Sequence, residues 1–165
     1  MTKFEDPIHP NILRLVEAHP QMFRGKPPRI WSDLPDGWYS LVDQLCTDIE
    51  ASLSPEEAKS LKIQQIKEKY AGLRFYFKFG RHEDRFVDVA TEQGIETYST
   101  KAGAGDEQMN RIRDLVSAAT TKSEITCQTC GQSGETRNLG GYLVTLCDQH
   151  FDERVKQRAA KWAQT

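Results

Sequence analysis

The sequence predicts an α+β fold in which a small antiparallel sheet is packed by helices. Two stretches carry that prediction. Trp38, Leu41, Val42, Leu45, Ile49 and Leu53 recur at the spacing of one helix face, with Asp43, Gln44, Asp48 and Glu50 on the others. The period then drops to two. Leu73, Phe75, Phe77 and Phe79 alternate with Arg74, Tyr76 and Lys78, as in a strand with one face in a core. A third feature sets the character of the C-terminal end. Cys127-Gln128-Thr129-Cys130-Gly131 is answered, after sixteen residues, by Cys147-Asp148-Gln149-His150.

The elements follow in order. Ile12, Leu13, Leu15 and Val16 cluster between Pro10, suited to a first helical turn, and Pro20, which stops the helix. Residues 20–36 hold four prolines and Gly25. They read as an extended loop pinned to the core by Met22, Phe23, Ile30, Trp31 and Leu34. The 38–53 helix comes next. Ser54-Pro55-Glu56-Glu57 then restarts a helix, with Ser at the cap and Glu three residues on, and it runs to about Leu61. Ile63 to Tyr70 pairs with the Phe-rich strand as a hairpin turned at Ala71-Gly72. Phe86–Ala90 and Ile95–Tyr98 read as two more strands around Gly94. Lys101 to Gly105 is a glycine-containing loop. Met109, Ile112, Leu115, Val116 and Ala119 mark a helix over 106–121.

Composition bounds the function classes. The 165 residues fit one domain or one domain with a small appendix, divided here into an α+β part (1–122) and a C-terminal part (123–165). With 38% apolar and 28% charged residues, the chain suits a folded soluble protein with a core of its own. No run has the apolar length of a membrane span, and the acidic start Met-Thr-Lys-Phe-Glu-Asp-Pro lacks the apolar segment of a signal peptide. Three of the four cysteines belong to the paired pattern, which leaves Cys46 alone and excludes a disulfide framework. A reducing cytoplasm is the expected home. Net charge is -2, so no global electrostatic case for nucleic acid exists. The charge is uneven, however. Residues 1–60 carry 6 Lys and Arg against 10 Asp and Glu, whereas residues 61–85 carry 7 against 3.

The Cys/His pairs are the sharpest chemistry in the chain. Two pairs of N/S donors, each with a two-residue gap, are what a tetrahedral zinc ion takes, and the gap lets both side chains of a pair turn to one ion. Around them stand a knuckle, a polar loop from Gly131 to Gly141, an apolar strand from Tyr142 to Leu146, and a helix with Phe151, Val155, Ala159 and Trp162 along one side. Knuckle, hairpin and a helix supplying the last two ligands is a treble-clef-like zinc finger. The metal ligands are therefore Cys127, Cys130, Cys147 and His150, with one structural Zn2+ per chain. A helix N-terminus offers unpaired N–H groups to the Cys147 thiolate. Four protein ligands leave no open position, so the zinc is read as scaffold and no catalytic residue is assigned. The alternative is an exposed helix His150, with water or another residue as the fourth ligand, which would bring back an open catalytic zinc.

Several stretches resemble a family of uncharacterised phage and prophage proteins. They are Gly37-Trp38 with Leu41 and Leu45-Cys46, Lys67 through Tyr76, Cys127 through Gly131, and Gly141 through Asp148. Ala71 departs from the Gly of that pattern, and residues 84–104 stand as an insertion. The resemblance implies a phage or bacterial setting and the zinc site, and it transfers no catalytic residue.

Other candidates are weighed beside plainer readings. Lys67, Lys69, Arg74, Tyr76 and Lys78, in the basic hairpin 62–79, can stack and neutralise a nucleic-acid strand; the plainer reading is a solvated sheet face. Cys46 reads as a buried structural thiol against a reactive one. The carboxylates of 43–57 read as solvated helix surface. Gly103-Ala104-Gly105 is followed by Asp106-Glu107, not by the Lys-Ser/Thr of a phosphate loop. The expectation is a non-enzymatic zinc-binding interaction protein that binds, and in doing so can inhibit, a host or phage protein. The alternative is a nucleic-acid-binding accessory protein. No membrane and no small-molecule substrate enter either.

Overall fold

The computed structural model of the chain describes residues 7–80, 82–83, 85–100 and 107–164, so the Lys101–Gly105 loop lies outside the described residues. The fold is α+β, with small antiparallel sheets and helices. None of its described helices is long and apolar enough to cross a membrane.

Helix α1 (Pro10–Ala18) starts on Pro10 and buries Ile12, Leu15 and Val16. The 20–36 segment departs from the expected loop at its start. Pro20–Phe23 form one more helical turn, α2, because a proline suits the first helical position; Arg24 ends it in the left-handed region at φ 53°. Met22, Phe23 and Leu34 are buried as expected. Ile30 and Trp31, each 52% exposed, do not pin the loop. It is the backbone that does so. Ser32 Oγ accepts the Ile66 N–H (3.0 Å) and the Asp33 N–H donates to the Ile66 carbonyl (3.0 Å), closing one edge of the main sheet.

A 3₁₀ turn (Asp36–Trp38) leads into α3 (Tyr39–Ser52), which buries Leu41, Val42, Leu45, Cys46 and Ile49. Cys46 is fully buried, and burial, with Glu50 and Asp43 nearby, pushes its thiol well above the ordinary value. The buried His19 ring bridges α3 to the α1–α2 junction, with Nε2 2.9 Å from Asp43 and Nδ1 2.8 Å from Glu50. Helix α4 (Pro55–Ala58) has the capping box read from Ser54 and Glu57. It stops short of Leu61 because that residue opens a strand.

Strands β1 (Leu61–Lys69), β2 (Gly72–Phe79) and β3 (His82–Glu83) form one sheet in that order. The register slips between Ile63 and Gln65. That bulge has a reason in the sequence. Leu61 and Ile63 are two apart, Ile63 and Ile66 three apart, and one extra residue returns Ile66 to the core face opposite Phe75. The hairpin turns one residue earlier than expected. Lys69 pairs with Gly72, so Tyr70 and Ala71 are the turn residues, both with positive φ (54° and 64°). β4 (Arg85–Thr91) and β5 (Gly94–Thr100) form a separate hairpin.

Helix α5 (Glu107–Ser123) packs on both α3 and β2 and buries Met109, Ile112 and Ala119. Its last residue, the buried Ser123, accepts the Leu73 N–H at 2.9 Å. A single apolar cluster thus runs from α1 through α3 and the β1–β2 face to α5, with the fully buried Trp38 in it. The C-terminal part adds β6 (Glu135–Leu139), β7 (Tyr142–Leu146) and α6 (Asp148–Trp162), around a second cluster of Cys127, Val144 and Leu146.

Candidate metal centre

The C-terminal segment turns twice to bring its donors together. Gly131 closes the first turn at φ +77°, with its N–H on the Cys127 carbonyl (2.9 Å). The Cys127 N–H in turn donates to the Gln132 carbonyl at 2.7 Å. β6 and β7 then return the chain, in register from Glu135↔Leu146 to Leu139↔Tyr142. Cys147 caps α6 and His150 sits in its first turn.

All four predicted ligands converge. The donor atoms of Cys127, Cys130, Cys147 and His150 lie within 4.8 Å of one another, a set that can hold a metal ion. Cys130 Sγ is 4.0 Å from Cys147 Sγ, and His150 Nδ1 is 3.1 Å from Cys147 Sγ and 3.6 Å from Cys127 Sγ. A disulfide needs about 2.05 Å between sulfurs, so these are free thiols. A tetrahedron with metal–sulfur bonds of about 2.3 Å has sulfur–sulfur edges of about 3.8 Å and somewhat shorter sulfur–nitrogen edges, and these three distances lie within about 0.5 Å of those values. Nδ1 is the nitrogen that faces the sulfurs. Nε2 faces Glu153 Oε2 at 3.9 Å, the side on which metal-bound imidazoles keep a carboxylate.

The electrostatics single out Cys127. Burial alone would raise its thiol, but the backbone N–H groups of Cys147, Cys130 and Thr129 outweigh burial and hold it below the ordinary value. The Gln132 N–H lowers Cys130 as well, yet desolvation and the neighbouring Cys127 and Cys147 sulfurs leave it raised. This corrects one expectation from the sequence. The helix-capping Cys147 side chain takes no cap hydrogen bond from α6, since its sulfur turns to His150 and Cys130 instead. The sulfur that gathers backbone N–H groups is Cys127.

Residues far away in sequence support the knuckle. The Gly37 N–H donates to the Gln128 carbonyl (2.9 Å), and Trp38 Nε1 donates to the Thr126 carbonyl (2.8 Å). Gly37 lies so close that a Cβ there would stand 2.1 Å from the Cys127 oxygen and 2.6 Å from the Gly131 nitrogen. On the other side, the fully buried Thr145 donates its hydroxyl to the Ala71 carbonyl (2.8 Å) and its own carbonyl accepts the Gln128 N–H (2.9 Å). Residue types alone give no reason to place these near a metal centre. Periodicity places Trp38 on an apolar helix face, and only the resemblance draws attention to Gly37 and to Thr145, the latter as one residue of the stretch Gly141 through Asp148.

The basic hairpin residues are placed differently. Lys67 and Arg74 lie opposite each other, Tyr76 opposite Gln65 and Lys78 opposite Lys62. Lys67 Nζ lies 5.6 Å from the centre of the Tyr76 ring. The β4–β5 hairpin brings Asp88 onto this face, 2.5 Å from Lys69 Nζ and 3.9 Å from Arg74 Nη2. Arg74 Nη2 also donates to Thr97 Oγ1 at 2.9 Å. Burial alone would raise the Asp88 carboxyl, but hydrogen bonds from Lys69 and Thr97, with the two cations beside it, hold it below the ordinary value. Two of the four cations of the candidate nucleic-acid surface therefore already face a carboxylate.

Comparison of the chain with protein-family models, with curated proteins and with solved structures finds no match.

Proposed function

We propose that Cys127, Cys130, Cys147 and His150 hold one structural zinc ion in a treble-clef-like finger, and that the chain is a non-enzymatic protein that binds a host or phage protein in the cytoplasm of a bacterial host cell. The observation that carries the zinc reading is the convergence of three thiols and one imidazole nitrogen within 4.8 Å. A soft S₃N set in tetrahedral spacing suits Zn2+ over the harder divalent ions, which take oxygen. Three thiols this close resist joint ionisation unless a cation sits among them. Four protein donors also close the tetrahedron, which supports scaffold over Lewis-acid chemistry.

A finger held this way ties α6 to a knuckle that Gly37 and Trp38 bond and to a β6–β7 hairpin whose Thr145 bonds the Ala71 carbonyl. It is a means of presenting surface, which supports binding as the role. The phage setting rests on the resemblance of the quoted stretches. The experiment has two parts. Metal analysis of purified protein gives one zinc per chain, and Cys130→Ser loses it; absence of metal, or retention by the variant, overturns the site. Affinity capture at rising salt then separates the partner classes. A phosphate-bound partner falls away steeply and depends on Lys67 and Lys78, whereas a protein partner persists.

A further inference from the structure

Helix α6 has no buried residue along its whole length. It is held at its start by Cys147, His150 and the half-buried Phe151. Further along, Arg158 donates to the carbonyls of Leu139 and Gly140 at the β6–β7 turn. The expected apolar stripe does share a side, but past Phe151 it meets water. Val155 is 43% exposed and Trp162 74%. Positions 155, 158 and 162 are three and four apart and lie on one face. The Arg158 guanidinium also sits 6.0 Å from the centre of the Tyr142 ring, which is 71% exposed. Single exposed apolar side chains are ordinary. A valine, a tryptophan and a tyrosine grouped around one arginine held by two carbonyls are not single, and Trp, Tyr and Arg are the residue types that dominate binding energy at interfaces.

Charge says what covers the ridge. From Arg154 onward α6 carries Arg154, Lys156, Arg158 and Lys161 and no carboxylate, whereas its first turns carry Asp148, Asp152 and Glu153. We propose that the ridge Val155–Arg158–Trp162, with Tyr142 beside it, docks an acidic protein segment that sets apolar side chains on Val155 and Trp162. Its carboxylates face the exposed Lys156, while the half-buried Arg154, near the Glu68 carboxylate, adds a lesser share. The proposal rests on the protein-partner reading above and gives that partner a surface and a chemistry. A nucleic-acid strand fits less well. Arg158 is already committed to carbonyls, and the carboxylates one turn upstream repel phosphates, leaving few cations for counterion release.

The test uses the zinc-loaded full chain, with metal content measured on the same sample. A random peptide library is displayed and selected against the protein. Enriched peptides are synthesised and titrated by fluorescence anisotropy against the parent, Trp162→Ala and Lys156→Glu. Both positions are exposed, so both variants fold, which far-UV circular dichroism and unchanged zinc content confirm. The expected result is peptides joining Asp and Glu to Leu, Phe or Trp, with affinity reduced about tenfold or more by either variant. Peptides bound equally by parent and variants overturn this surface while leaving the protein-partner reading intact. Failure of any peptide to enrich, with tight binding of a single-stranded DNA oligonucleotide, overturns both. A dimer dissociated by Trp162→Ala overturns the proposal in favour of a second copy of the chain.

Discussion

The two halves of this chain solve the same problem with different means. The α+β part buries Trp38, Ile49, Leu73, Phe75, Phe77 and Ile112 among many others in one continuous cluster. The C-terminal part has three buried members in its cluster, Cys127, Val144 and Leu146, and a terminal helix with none. A buried large apolar side chain contributes about 1.5–3 kcal/mol. Ordering each residue's backbone costs about 1–2 kcal/mol. Apolar burial is therefore the chief favourable force in the first part, and with three buried members it cannot play that role in the second. What the second part has instead is a donor set and a ring of hydrogen bonds to its neighbour. On the zinc proposal, metal replaces core. A structural zinc contributes about 10 kcal/mol or more in small domains, with affinity that falls as pH drops and the ligands take up protons.

The largest expected effect separates the two regimes. Chelation, or Cys130→Ser, removes protection from amide exchange across the β6–β7 hairpin and the first turns of α6, while amides of α3 and the β1–β2 hairpin stay protected. Uniform loss across the chain, or no loss anywhere, would break the division. The reciprocal change is Ile49→Ala in the apolar cluster, where Ile49 is fully buried. It costs about 2–5 kcal/mol in denaturant unfolding and leaves zinc stoichiometry at one.

The next prediction addresses the seam. Gly37→Ala puts a methyl against the backbone of Cys127, Gln128 and Gly131, none of which is a flexible side-chain end. About 3 kcal/mol is expected, at the upper end for overpacking, and zinc affinity should weaken with stability. A variant that loses stability but binds zinc normally would mean that the knuckle yields without disturbing the ligands. Trp38→Phe keeps an aromatic ring in the core and deletes the donor to the Thr126 carbonyl. It should cost about 1–2 kcal/mol by the same unfolding measurement.

The contrast also explains what was legible in the sequence. Periodicity reports which face of an element is apolar, so α1, α3, β2 and α5 could be read from Ile12, Leu45, Phe75 and Ile112. Ligand spacing reports chemistry, so the four donors could be read as well. Neither reports contacts between segments distant in the chain. Gly37 beneath the knuckle, Thr145 on the Ala71 carbonyl and Asp88 over the basic hairpin depend on tertiary approach, which no local pattern encodes. The α2 turn was missed for a simpler reason. Four prolines in 20–36 suggest extended chain, yet Pro20 is compatible with a first helical turn, and one turn is too short to show a period. On α6 the pattern places Phe151, Val155, Ala159 and Trp162 on one side and says nothing of what covers them. An apolar stripe shows that a face wants cover without saying that this chain supplies it.

The smallest effect lies where the two parts touch at the hairpin. Tyr70 and Ala71 both occupy the left-handed region, where a residue with a Cβ is strained by about 1–2 kcal/mol. Two-residue turns of this kind favour Asn-Gly. Ala71 is held there by its N–H on Glu68 Oε1 (2.7 Å) and by its carbonyl under the Thr145 hydroxyl, and its methyl is buried. Tyr70 is 44% exposed, and the Lys69 ammonium lies 5.1 Å from its ring centre. Tyr70→Asn should therefore stabilise the fold by about 0.5 kcal/mol, the relieved strain less the lost ring contact. Thermal unfolding of the zinc-loaded chain measures it. If the gain survives chelation unchanged, the turn belongs to the apolar part alone. If it grows when zinc is present, the Thr145–Ala71 bond carries the finger's rigidity into the sheet.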